Sequence, residues 1–288
     1  MAETNTARRM WLLLEPIHAL VYFAPQARAA LEASGLRGFW RGYFAGRAAP
    51  LGAVGPAPVV ALFYGFAPSM VERALPAVWQ LASPARALAA RLDGAVAALT
   101  AVADTEAPGR SSELGEAADL ARRAASGAEI GGRALGAANA ALDWPDQPIA
   151  ALWHAATVLR EVRGDGHVAA LLTAGLSGLD AHVLRTASDL DRAVLQPARG
   201  WTDQEWEAAA ANLIARGLLA SDGELTAAGH DLLREVETTT DQLAAQPWAA
   251  LGEEATDRLA RLIMPISRAA AAVLPDRIPI GLPRPSAS

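Results

Sequence analysis

Three stretches of this 288-residue chain carry side chains whose types and spacing could do chemistry. The first lies between Glu32 and Glu72, where no acidic residue occurs and Arg37, Arg41 and Arg47 are interleaved with Phe39, Trp40, Tyr43, Phe44, Phe63, Tyr64 and Phe66. Fixed cations beside an aromatic wall suit an anionic or aromatic small molecule, because guanidinium meets carboxylate in paired hydrogen bonds and rings cover an apolar body. Arg37 and Arg41 are four apart and would share a helix face. Gly42 and Gly46 would keep the backbone open to a closely approaching ligand. The plainer reading makes the aromatics core and the arginines solvated or paired.

The second stretch is Arg163-Gly-Asp-Gly-His167, which reads as a turn between two helices. Two glycines around an aspartate permit a left-handed backbone and would bring Asp165 and His167 to a fixed point as an acid/base pair. In the plainer reading Gly164 ends one helix and Asp165 caps the next. The third stretch, Glu15-x-x-His18, puts both side chains on one helix face, as in di-iron bundles. Such bundles need two of these pairs and this chain has one. Asp165 and His167 could complete a two-His, two-carboxylate mononuclear site, but with no cysteine and no second pair the expectation is no metal. No cofactor is implied.

The elements that must position these residues are helical. Arg8–Ser34 reads as a helix bent at Pro16, and Leu36–Arg47 as a short one. Ser83-Pro84 opens a helix to about Ala103, Ser at the cap and Pro in the first turn. Asp104–Ser112 is the most linker-like stretch. Helices over about 112–125 and 131–142 precede a break at Asp143-Trp144-Pro145. Pro148–Val162, Val168–Ala174 and Ser177–Thr186 read as three separate helices. Thr202 with Glu205 makes a capping box for a helix to Arg216, and Thr226 caps another to about Ala245. Leu251–Leu274 is a last helix, interrupted near Pro265, before a Pro-rich tail.

Composition bounds the rest. At 52% hydrophobic residues the chain can bury a large core, and the absence of cysteine removes disulfides and thiolate chemistry. Arg8-Arg9 followed by Met10–Leu14 begins like a signal peptide, but Glu15-Pro16 ends the apolar run too early. No stretch of 18 apolar residues occurs, so the expected compartment is the cytoplasm, with no membrane partner. Charge is uneven. Residues 1–100 hold nine arginines against five acids, whereas residues 202–243 hold nine acids against Arg216 and Arg234.

The segment Asn212-Leu-Ile-Ala-Arg-Gly217-Leu-Leu, followed by Gly223-Glu-Leu-Thr226-Ala-Ala-Gly229, resembles the helix, wing and following helix of MarR-type winged-helix regulators. More widely, Glu15-Pro-Ile-His18, Tyr22-Phe23, Phe39-Trp-Arg-Gly-Tyr-Phe-Ala-Gly-Arg47 and Arg160-Glu-Val-Arg-Gly-Asp-Gly-His167 resemble an actinobacterial family of uncharacterised helix-turn-helix proteins, sometimes labelled SalK. The resemblance implies a fold and not an activity. DNA readers gain affinity by neutralising phosphates, yet the helix that would enter the groove begins with Asp203, Glu205 and Glu207.

The expected protein is therefore mainly α and two-lobed, with a winged-helix unit and one tiny β-hairpin in its C-terminal half. An N-terminal helical lobe would span 1–105, connecting helices 112–145, and a winged-helix lobe 146–275, with a tail over 276–288. Glu15, His18, Tyr22, Arg41, Tyr43, Arg47 and Arg163 would bind an anionic or aromatic small molecule in an interlobe pocket, with Asp165 and His167 doing any catalysis. DNA would not be a partner, and a homodimer is compatible with the sequence. The alternative is a MarR-type regulator that responds to a ligand.

Overall fold

The computed structural model describes residues 5–106 and 111–280 and is built from helices, with no strand among those residues. In chain order they are α1 (Thr6–Phe23), α2 (Pro25–Ala33), α3 (Phe39–Ala48), α4 (Pro56–Leu62), α5 (Pro68–Glu72), α6 (Val78–Leu81), α7 (Pro84–Glu106) and α8 (Ser111–Ser126). There follow α9 (Ala134–Ala140), α10 (Pro148–Thr173), α11 (Gly178–Thr186), α12 (Arg192–Arg199), α13 (Asp203–Ala215), α14 (Ala227–Leu243), α15 (Gln246–Leu251) and α16 (Glu253–Val273). Part of the linker expected over Asp104–Ser112, and the end of the tail, lie outside the described residues.

Three apolar clusters hold the helices together. The largest joins α1, α7, α8, α10, α15 and α16, so both ends of the chain share one core around the fully buried Leu152 and Trp153. A second, centred on Phe44, Phe63 and Leu75, gathers α2 to α6 against α7. The third packs the end of α10 against α11 to α14 around Leu184, Trp206 and Leu213. Helix α10 runs along all of this and touches α1, α7, α8, α9 and α14.

Several sequence expectations change. The first helix, which runs through Pro16, does not extend to Ser34; it ends at Ala24, held extended (φ −72, ψ 139) by the ring of Pro25. Arg37 precedes α3, so it shares no helix face with Arg41. The expected turn at 163–167 does not exist. Helix α10 passes straight through it, and neither Gly164 nor Gly166 has a positive φ. A helical glycine costs about 1 kcal/mol against alanine, and burial of α10 among its neighbours outweighs that. Gly166 has a packing cause as well, since a Cβ there would meet Arg133 Nη1 at 2.7 Å and Leu243 Cβ at 3.2 Å.

The C-terminal caps form as the sequence indicates. Thr202 and Glu205 exchange both bonds of a capping box, and Thr226 Oγ1 accepts from Gly229 N–H. Gly217 takes the left-handed conformation (φ +72) after α13. The tiny hairpin shrinks to one antiparallel bridge, Leu219 to Leu225, and helix α12 is an addition the sequence reading missed.

Candidate functional site

A cavity of about 250 Å³ opens between α1, α3 and the α4–α5 loop on one side and α10 to α12 and α14 on the other. Close approach of backbone makes the junction. A Cβ on Gly178 would lie 1.9 Å from Tyr64 O, and one on Gly65 would lie 2.5 Å from His182 Nε2. The lining combines apolar groups (Leu62, Phe63, Phe66, Leu171, Leu195) with the cations Arg47, Arg160, Arg163, Arg185 and Arg199.

The polar floor is built from α1, α3 and α10. Glu161 is buried, and its two oxygens accept from Arg47 Nε and Nη2, both at 3.0 Å. Arg160 Nη1 donates to the same carboxylate at 3.0 Å, and its Nε lies 3.5 Å from Glu15. Burial alone would raise the Glu161 pKa, but Arg160 and Arg47 hold it well below the usual carboxylate range. Glu15 also accepts from Trp11 Nε1 at 3.1 Å. Three arginines lie over ring faces: Arg47 on Phe63 at 4.2 Å, Arg163 on Trp11 at 4.4 Å and Arg199 on Phe66 at 4.7 Å.

Two histidines have tautomers fixed by neighbouring threonines. Thr157 Oγ1 donates to Trp153 O, so it can only accept from His18 Nδ1–H at 3.0 Å, and His18 Nε2 then accepts from the Tyr22 hydroxyl at 3.1 Å. Thr240 Oγ1 likewise donates to Val236 O and accepts from His167 Nδ1–H at 2.9 Å, leaving the His167 Nε2 lone pair free. Burial drives the pKa of His18 well below normal and that of His167 down to about 4, so both are neutral at pH 7. His182 donates its Nε2–H to Gly65 O, and burial takes its pKa to about 3.

Of the residues singled out from sequence, Glu15, Tyr22, Tyr43, Arg47, Arg163, Asp165 and His167 line this one cavity. His18 sits behind Tyr22, joined to it by the bond above. Arg41 is exposed and lies off the lining. Gly42 and Gly46 face neighbouring side chains: a Cβ on Gly42 would meet Leu31 at 3.2 Å, and one on Gly46 would meet Arg91 at 3.8 Å. The small size of Gly42 therefore lets α3 approach α2, whereas Gly46 makes only ordinary contacts.

Asp165 does cap a helix, but not its own. Its Oδ2 accepts from Gly136 N–H at 2.9 Å, in the first turn of α9. Burial raises its pKa to about 6, against the pull of that backbone bond. No group of three or more His, Asp or Glu side chains among the described residues could hold a metal ion.

Sequence reasoning missed Glu161, Arg160, His182, Arg185, Arg199 and Glu237. Arg160 had a usable signal. Arg160, Arg163, Gly164, His167, Val168 and Leu171 recur at spacings of three and four and form one face of α10 toward the cavity. Reading a turn at 163 to 167 hid that face.

Fold and site together define a mainly helical protein with a partly open amphipathic cavity between its helices. The model described as the helix-turn-helix family matches residues 7–275, nearly the whole chain, and the protein belongs to that family. No curated protein and no solved structure matches it. No single described helix is long and apolar enough to cross a membrane.

Proposed function

We propose that this protein binds a small organic anion with an aromatic or apolar body in the cavity between α1, α3, α10 and α12. The observation that carries the reading is Arg199. Arg47, Arg160, Arg163 and Arg185 each meet a carboxylate: Glu161, Glu161 with Glu15, Glu237 with Asp241, and Asp189. Arg199 meets none among the described residues. It donates to Pro279 O at 2.7 Å and, weakly, to Ala198 O at 3.5 Å, and burial lowers its pKa to about 10. A guanidinium half withdrawn from water without a counter-charge favours an incoming carboxylate.

Size limits the ligand. A cavity of about 150 Å³ holds benzene, so one of about 250 Å³ suits a single ring with substituents. His167 Nε2 would accept a hydroxyl or N–H of such a ligand, or act as a base toward it, whereas Asp165 is occupied in capping α9. The test is calorimetry with a panel of aromatic carboxylates, each paired with its neutral amide. Binding of acids over amides, weakened at least about tenfold by Arg199→Met, supports the reading. Equal binding of acid and amide, or none of either, ends it.

A second reading is favoured by the family itself: a ligand-responsive regulator whose α13 enters DNA. The first turn of α13 argues against it. Asp203 and Glu205 are exposed there and Glu207 is exposed one turn on, and Arg192 beside them is spent on Asp203 at 3.2 Å and Glu207 at 2.6 Å. We take this unit as a scaffold that does not grip duplex DNA. Salt-sensitive binding to promoter fragments tighter than about a micromolar would reverse that assignment.

A further inference from the structure

The segment that follows α16 reaches the cavity from the far end of the chain. Pro275 cannot continue a helix, and its ring holds Leu274 extended (φ −72, ψ 145), which ends α16. Leu274 packs on the largest apolar cluster. Residues 275–277 are exposed, and Ile278, Pro279 and Ile280 are half-buried. Pro279 and Ile280 line the main cavity together with Arg199.

Both ends of α12 hold this segment. Arg199, the last residue of α12, donates from Nη2 to Pro279 O at 2.7 Å, and Asp191, the N-cap of the same helix, lies 3.7 Å from Arg277 Nη1. The second contact is solvated, with side chains 79% and 51% exposed, and contributes little. No backbone–backbone hydrogen bond among the described residues ties 278–280 to the helices. A segment held chiefly by one charge-assisted bond and a few half-buried side chains opens at lower cost than the helices around it. The bond to Pro279 also occupies a donor that an incoming anion would need. A carbonyl offers Arg199 a partial charge, whereas a carboxylate offers a full charge on two oxygens that match the guanidinium fork, so it competes well for the same group.

We propose that residues 275–280 are a strap across part of the cavity mouth, in which the Pro279 carbonyl stands in for the ligand at Arg199 and is displaced when an organic anion binds. This rests on the function proposed above and adds a regulation to it. The cavity takes its ligand in proportion to the fraction of molecules whose strap is released, so loosening the strap tightens binding without any new contact.

The chain has no cysteine, so one introduced thiol reports on the strap alone. Ile280→Cys is reacted with the neutral reagent dithiodipyridine, and Ala272→Cys, at an exposed position of α16, serves as the reference. Without ligand, the thiol at position 280 should react at least about fivefold more slowly than the one at 272, and adding Arg199→Met should bring the two rates together. Saturating sodium benzoate should also speed the reaction at 280 while Arg199 is intact, and benzamide should not. In calorimetry the full chain carrying Ile278→Gly, Pro279→Gly and Ile280→Gly together should bind benzoate at least about threefold more tightly than the wild type. That measurement keeps Arg199, so it decides the matter even if Arg199→Met fails to fold. Equal rates at 280 and 272 from the start, an unchanged rate at 280 in a folded Arg199→Met protein, benzoate binding that leaves that rate unchanged or lowers it, or no gain in affinity in the glycine variant would each overturn the strap and leave the cavity reading standing. No benzoate binding by either the wild type or the glycine variant would overturn both.

Discussion

Glu161 and Glu207 are both helical glutamates bound to arginine, yet their side chains are 2% and 65% exposed. Glu161 is buried behind the cavity lining and holds two of the lining guanidiniums by three bonds of 3.0 Å. Glu207 lies on α13 and meets Arg192 in open water. The same contrast runs through both regions. Around the cavity a charge withdrawn from water gains from a match, so the half-buried Arg199, which meets no carboxylate among the described residues, bears on what the cavity would bind. On α13 the acids are solvated, and capping and the helix dipole account for the two in the first turn, Asp203 and Glu205. The sign of a charge therefore says less about function than its distance from solvent.

The comparison can be broken most directly at Glu161. Glu161→Gln keeps the shape and strands Arg47 and Arg160, so chemical denaturation should show a loss of about 3–5 kcal/mol. A loss below about 1 kcal/mol would mean that burial gives these charges no special weight.

Acid is the next probe. Burial lowers the pKa of His167 and His154 from 6.5 to about 4, that of His182 to about 3, and that of His18 well below 6.5. Below pH 6.5 the unfolded chain takes up protons that the folded one refuses, so their stabilisation is full above that pH and is lost as pH falls toward 4. Each contributes a slope of up to about 1.4 kcal/mol per pH unit. Asp165, raised to about 6, works the opposite way, adding stability in acid that is lost as pH rises through 6. Four groups against one make the net direction a fall in stability from pH 6.5 to 4, flattened in His167→Gln. A flat or rising profile would show the histidines to be hydrated.

Asp165→Ala should cost about 1 kcal/mol as a lost helix cap while leaving ligand affinity unchanged, since the bond it breaks is to α9. A large affinity loss at unchanged stability would instead return Asp165 to the chemistry of the cavity. The smallest effect belongs to Glu207→Gln, within about 0.5 kcal/mol by equilibrium unfolding. A cost like that of Glu161→Gln would erase the distinction between the two regions.

Sequence alone determined what acts within one or two turns of backbone. Apolar spacing announced most of the longer helices, and Ser83, Ser177, Thr202 and Thr226 marked starts that the structure keeps. Those signals are legible because a cap and its acceptor lie three residues apart. Likewise Tyr22, Tyr43, Arg47, Arg163 and His167 could be picked out by type, although they come from separate helices. Tertiary structure decided the rest. Whether Gly164-Asp165-Gly166 would turn or stay helical rested on about 1 kcal/mol per glycine, and the packing of α9 and α14 against α10 settled it. That continuity aims Arg160, Arg163 and His167 into one cavity and sends Asp165 to a helix that starts about thirty positions upstream. Which arginines were matched and which were left without a carboxylate depended on partners far off in the chain, 114 positions for Arg47 and Glu161 and 248 for Arg9 and Asp257. No local pattern encodes such a pairing, because its energy arises only when folding removes both charges from water.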